Sequence, residues 1–403
     1  MILRIELDTN LSVQRRLAYL PLHGGKAPPY LFQRMAQLAG AMTMAIVDEY
    51  GPAEMLRRLS DPWWFQAFGC VLGFDWHSSG VTTVTCGALK EAHKRLGNDL
   101  GIIVAGGKGA ASRKTPQEIA DAADNHAIVQ GEKLIYASKM SAKVDSAAVQ
   151  DGYDLYHHCF FFTREGNWCV VQQGMNETLG NARRYHWLSE TIDDFVCEPH
   201  AAVQDLAESS LGDHNQVPDA QLTLNMVARE AEGNRKASAE LIREHPDKLL
   251  QLIEAHTVGP TLFAPTHHPV LPSDVNLSRL EKIVRAAHER HPQDFEMLLG
   301  TPQVGAATVR SLALIAELLY GVPISHRNPA VPRNETVSAL PAHSNSKWAD
   351  YSYAHGGKDG HPFPVDRTTY DQNIAVLTEA VRQARIGETA KSDALKRLAQ
   401  IAP

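Results

Sequence analysis

Carboxylates placed near histidines can hold a divalent metal ion, and this chain offers two such groups. In "GFDWHSSGVTT", Asp75 and His77 are two residues apart and share one face if the piece is extended. In "KVDSAAVQDGYDLYHHCFFF", Asp145, Asp151 and Asp154 precede His157 and His158. Strand alternation places His158 with Phe160 and Phe162 on one face and His157 with Cys159 and Phe161 on the other. Read as chemistry, the set describes a metal-dependent hydrolytic centre. Asp75, His77, Asp145 and Asp151 would be its catalytic groups, and Asp75, His77, Asp145 and His158 would hold Mg2+ or Mn2+. The plainer reading makes Asp-x-His an oriented turn and the histidine among phenylalanines a satisfied core group.

Cations that could meet phosphate come in short clusters. His-Gly-Gly-Lys occurs at His23 to Lys26 and at His355 to Lys358, and "AGGKGAASRKT" adds Lys108, Arg113 and Lys114 without an acid. "ARRYHW" places Arg183, Arg184 and His186 around Tyr185. A nucleotide-binding phosphate loop needs glycine six residues before its lysine and Ser or Thr after it. Leu20, Ile102 and Ser352 occupy the first position and Ala27, Gly109 and Asp359 the second, so none of the three is such a loop. Lys26, Lys108, Lys114, Arg183, Arg184 and Lys358 are expected instead to neutralise a nucleic-acid backbone. The Gly-Gly-Lys loops are expected to converge on one surface.

The sharpest local pattern is "LLGTPQVGAATVRSLALIAELLYG". It resembles a helix-hairpin-helix, in which turn amides and a helix N-terminus grip one DNA phosphate. Val304, Gly305 and Thr308 would make that contact, with Gln303 standing where the usual Pro-Gly-Val-Gly turn has its first glycine. In DNA glycosylases built on this hairpin an essential aspartate follows, and Asn328 stands in its place, an amide that cannot take a proton.

These groups need elements to position them. Apolar Leu31, Met35, Leu38, Met42 and Ile46 predict a helix over 29–50, stopped by Gly51-Pro52, and Ser60-Asp61-Pro62 caps a second one. β-Branched residues predict short strands at Val81 to Thr85 and Ile102 to Ala105, and "YDLYHHCFFFT-REGN-WCVVQQG" predicts a hairpin. Beyond a polar linker from Asp205 to Pro218 the pattern is helical, including "LTLNMVAREAEGNRKASAELI" and a helix capped by Ser273-Asp274. A loop from Pro323 to Tyr353 and a closing helix "TYDQNIAVLTEAVRQAR" follow. The expected fold class is α+β: a mixed α/β domain over 1–208, a helical domain with the hairpin over 219–330, and 331–403 packing back on the first part. With 403 residues, 44% hydrophobic and 21% charged, the chain has material for real cores. Its net charge of -7 argues against a general basic coat, and five cysteines without a C-x-x-C pair argue against a disulfide framework or zinc ribbon. No apolar run reaches the ~20 residues of a membrane span, so a cytoplasmic address is expected.

"LPLHGGKAPPYLF", "RRLSDPWWFQAFGCVLGFDWHSSGVTTVTCGALKEA", "GGKGAASRKTP", "KVDSAAVQDGYDLYHHCFFF", "ARRYHWLSE" and "AHGGKDGHPFPVDR" together resemble a prokaryotic family of unknown function, numbered seven-six-three. The resemblance implies cytoplasmic proteins with a helix-hairpin-helix in the second half and a role in DNA processing. Gln303 and the insertion "PAVPRNETVSALPAHSNSKWAD" depart from the family pattern. The leading expectation is a divalent-metal-dependent DNA endonuclease acting on structured or locally unpaired duplex. A glycosylase-like enzyme stacking Trp63, Trp64 or Tyr185 on an extruded base, and a DNA-binding adaptor without chemistry, are the alternatives. DNA is the expected partner, and the oligomeric state is left open, a homodimer included.

Overall fold

The computed structural model describes residues 20–21, 29–73, 79–177, 180–203, 223–244, 246–257 and 277–329. In chain order, β1 (Leu20–Pro21) is followed by α1 (Pro29–Tyr50), α2 (Pro52–Ser60), α3 (Pro62–Val71), α4 (Gly80–Leu96) and β2 (Ile103–Lys108). Next come α5 (Ala110–Arg113), α6 (Thr115–His126), α7 (Gly131–Lys143), β3 (Val149–Gln150), β4 (Asp154–Phe162), β5 (Trp168–Asn176), β6 (Asn181–Leu188) and β7 (Ala201–Val203). β8 (Leu224–Asn225) then precedes α8 (Glu232–Arg243), α9 (Pro246–Thr257), α10 (Leu277–Glu289), α11 (Phe295–Gly300) and α12 (Ala306–Tyr320). The fold is α+β, as the sequence predicts.

An antiparallel sheet of order β1-β6-β5-β4-β2, with β7 also paired to β6, forms the centre, and β3 pairs with β8 in a small separate ribbon. The predicted hairpin is present as β4 and β5. Its alternation sorts two cores. Cys159, Phe161, Cys169 and Val171 face α1 to α4, whereas Phe160, Phe162, Trp168 and Val170 face α6 and α7, which join the helices of the second half in the same core. The second core runs without interruption from Ile103 on β2 to Ile315 on α12. The two stretches expected as separate domains, 1–208 and 219–330, therefore share one core, on this face of the sheet.

Local chemistry explains the helical layer on the other face. Asp61 caps α3 through Trp64 N at 3.1 Å, with Pro62 at its first position, as predicted. Gly51-Pro52 does more than stop α1: Gly51 takes φ 87°, and Pro52 opens α2, which buries Met55, Leu56 and Leu59. The predicted strand at Val81 to Thr85 is instead the start of α4. Val81, Thr82, Thr85, Cys86, Leu89 and Ala92 are buried at helical spacing, and this burial overrides the β-branched propensity. Gly69 makes room for that packing, because a Cβ there would press on Val81 and Thr85. The helix expected over "LTLNMVAREAEGNRKASAELI" starts only at Glu232, since Leu224 and Asn225 are taken up as β8. The Ser273-Asp274 cap and the closing helix lie outside the described residues, as does most of the loop before that helix.

Candidate functional site

Strand register brings polar side chains into two rows at one end of the sheet. His158, Gln172 and Tyr185 are mutual partners on one face, and His157, Gln173 and Arg184 on the other.

On the first face Asp145 stands on a single π-helical turn, Val144–Ala148, that continues α7. It is fully buried. Its Oδ2 accepts from Trp187 Nε1 at 2.8 Å and from Gln172 Nε2. His200 Nε2 stands 3.1 Å from Oδ1, at contact distance but not aligned for a hydrogen bond, and its ring stacks on Trp187. Gln172 also donates to the Ser141 carbonyl, which turns its own oxygen toward His158 Nδ1 at 2.7 Å. Nδ1 therefore carries the proton, and Nε2 accepts from the Ser138 hydroxyl at 3.0 Å. Burial pushes His158 down to about 4, so it is neutral. Burial holds Asp145 well above the usual carboxylate range, against the pull of Trp187 and Gln172. Alongside, Asp151 Oδ2 accepts from Arg183 at 2.5 Å and from the Tyr185 hydroxyl at 2.7 Å, and the Arg183 guanidinium lies over Tyr153.

This arrangement corrects the expected metal centre. Mg2+ and Mn2+ ask for oxygen ligands and retained water. Asp145 Oδ2 and Asp151 Oδ2 accept from N–H and O–H donors in a buried setting, and both ring nitrogens of His158 are occupied. These three residues hold the sheet to α7 and the π turn; they do not fit a hard divalent ion. Asp75 and His77, the rest of that set, lie outside the described residues.

The second face is built in the same way. Arg184, also fully buried, donates to His186 Nε2 at 2.8 Å, to Gln66 at 3.1 Å and to the Pro62 carbonyl at 3.1 Å. His186 Nδ1 then donates to the Leu59 carbonyl at 3.0 Å, which fixes a neutral tautomer. Burial, with the neighbouring Arg184 charge, keeps its pKa well below the usual value. Gln173 donates to the Ser79 carbonyl and accepts from Thr82. Arg183 and Arg184, expected at the DNA surface, are thus interior residues. Tyr185 is fully buried and cannot stack on an extruded base, and Trp64 stacks on Phe68. Only the row pairing could have revealed this: an Arg-Arg pair in a strand looks basic until Asp151 and Gln66 are placed beside it.

Lys108 and Lys114 are exposed, as expected, together with Arg113. Gly106 before them, at φ 90°, serves the strand: a Cβ there would overlap the His158 carbonyl and Thr115. Its N–H donates to Glu118 at 2.7 Å and its carbonyl accepts from Lys90 at 2.6 Å. Lys26 and Lys358, with both His-Gly-Gly-Lys loops, lie outside the described residues.

α11 and α12 are joined by the five-residue turn 301–305. Asp294 caps α11 through Met297 N at 2.8 Å, and Gln303 adopts φ 68°, the left-handed conformation that a glycine would take there. Lys143 Nζ reaches the turn from beneath and donates to the Thr301 and Val304 carbonyls. Burial lowers its pKa, and no carboxylate among the described residues contributes. Gln150 donates to the Ala306 carbonyl at 2.9 Å and accepts from Arg310. The side chains of Val304 and Thr308, expected at the DNA contact, point inward; Pro302, Gln303 and Ala307 are what the turn exposes, with Gly305 partly so. No side chain caps α12.

An antiparallel sheet held between two helical layers, with a buried polar row on each face, defines an α+β protein whose polar interior is largely structural. The chain belongs to the family described as Protein of unknown function (DUF763), whose model matches residues 16–365. No curated protein and no solved structure matches it. Among the described residues no helix is long and apolar enough to cross a membrane.

Proposed function

We propose that the protein works in DNA processing and grips the DNA backbone through the turn between α11 and α12. The observation that carries this reading is how the turn is held. Lys143, Gln150 and Arg310 fix its carbonyls and the first turn of α12 from below. The uncapped N-terminus of α12 is left beside exposed Pro302, Gln303 and Ala307. A helix N-terminus carries partial positive charge, the Lys143 ammonium adds to it from beneath, and both favour an anion at the turn. Exposed Lys108, Arg113 and Lys114 supply further cations for a phosphate backbone.

Fluorescence anisotropy with labelled duplex, bubble and single-stranded DNA tests this. Ala307→Glu places a carboxylate on the exposed first turn and is expected to weaken binding about tenfold, roughly 1.4 kcal/mol, with the thermal melt unchanged. Binding that is indifferent to Ala307→Glu would overturn the grip. Strand cleavage with Mg2+ or Mn2+ is the reaction proposed for such a protein, with ligands other than Asp145, Asp151 and His158. Incubation of the same DNAs with either metal and with chelator decides it: chelator-sensitive products support cleavage, and binding without product leaves an adaptor.

A further inference from the structure

We propose that Cys86, His157 and Cys159 form a site for a soft divalent metal ion of the zinc class, clamping α4 to β4. Both sulfurs and one ring nitrogen of His157 lie within 4.8 Å of one another, and all three residues are buried. Neither ring nitrogen of His157 has a hydrogen-bond partner, although the residue is only 1% exposed. A buried imidazole left this way is unfavourable, and its neighbour His158 shows that this sheet can satisfy a histidine on both nitrogens.

The ligand set selects the ion. Zinc binds at about 2.3 Å from sulfur and about 2.0 Å from nitrogen, which in a tetrahedron places ligand atoms between about 3.3 and 3.8 Å apart. The three groups close to that spacing with movements of about 1 Å or less. Two thiolates and a neutral imidazole cancel the 2+ charge, so the loaded site is neutral, which suits an apolar surrounding that includes Phe161, Val171 and Leu89. Binding releases the two thiol protons to solvent and leaves a fourth position for one small neutral donor such as water. Mg2+ and Mn2+ are disfavoured because no oxygen ligand belongs to the set. Strand and helix geometry both serve the site. His157 and Cys159 share a face of β4 as residues i and i+2, and α4 brings Cys86 over them, with Lys90 one turn further along α4 holding the Gly106 carbonyl of β2.

The test uses the full chain, stripped of metal under reducing conditions and titrated with Co2+ and then Zn2+. One Co2+ per chain is expected, with a thiolate-to-cobalt charge-transfer absorption that Zn2+ abolishes, and Zn2+ should raise the melting temperature. His157→Leu, which fills the same space without a ligand and should fold without metal, is expected to show neither the absorption nor the zinc shift. Cys197→Ala is expected to keep both. The proposal is overturned if the reduced wild-type chain takes up no Co2+, or if His157→Leu binds as well as wild type. It is equally overturned if mass spectrometry of the protein isolated with thiols blocked finds Cys86 joined to Cys159 as a disulfide.

Discussion

His157 and His158 are adjacent on one strand, both buried, and face opposite sides of the same sheet. His158 donates to Gln172, accepts from Ser138, and through Gln172 belongs to a chain that ends on Asp145. His157 meets two cysteines and no hydrogen-bonding group. Burial lowers both pKa values, to about 4 and about 3, so neither imidazole is there for its charge. Burial and perturbed titration therefore do not separate a structural histidine from a ligand. What separates them is whether the protein itself supplies partners for the ring.

The comparison can be broken most forcefully at Asp145. Asp145→Ala leaves Trp187 Nε1 and one of the two N–H groups of Gln172 Nε2 without an acceptor and is expected to cost about 3 kcal/mol in urea unfolding. Asp145→Asn keeps one oxygen for both donors and should cost about 1 kcal/mol; an equal loss for both variants would mean that the second carboxyl oxygen or the charge matters as much as the two hydrogen bonds. The next effect belongs to His158→Leu, which strips partners from Gln172 and Ser138 and should cost about 2 kcal/mol.

A smaller, pH-dependent effect belongs to His186. Its folded pKa lies below the unfolded 6.5, so as pH falls through 6.5 the unfolded chain takes up a proton that the native chain refuses. Stability is full above that point and lost below it, by about 1.4 kcal/mol per pH unit for this one group. Urea melts over a pH series should show His186→Gln with a slope shallower by one proton; an unchanged slope removes His186 from the account. The smallest expected change sharpens the contrast most. His157→Leu in the metal-free chain should lie within about 0.5 kcal/mol of wild type, or slightly above it, because two unsatisfied nitrogens disappear. A loss as large as that of His158→Leu would mean that His157 has partners of its own.

The legible parts of this fold were those governed by local rules. The β4 and β5 hairpin, its two faces, the Asp61 cap and α1 all follow from alternation, helical spacing and turn chemistry. Val81 to Thr85 failed because propensity is weaker than the demand that Val81, Thr85 and Cys86 reach the core. The positions of Asp145, Arg183 and Arg184 are not legible because Gln172, Asp151 and Gln66 lie 27, 32 and 118 residues from them, and a charge in the sequence carries no mark of the group that neutralises it. Half of the soft-metal cluster was legible, in the shared face of His157 and Cys159. The other half was not, since nothing near Cys86 says that α4 crosses β4 there.

The shared core has a consequence for how the chain is made. One face of the sheet is complete once β6 has formed, because α1 to α4 precede it in synthesis. The core on the other face waits for residues as late as Ile324. At roughly 5 to 20 residues per second, the side of α7 and the π turn that α11 and α12 later cover, with Met140, Val144 and Ala147, waits on the ribosome for on the order of 10 to 30 s, long enough for a holdase to compete with the missing helices for that surface.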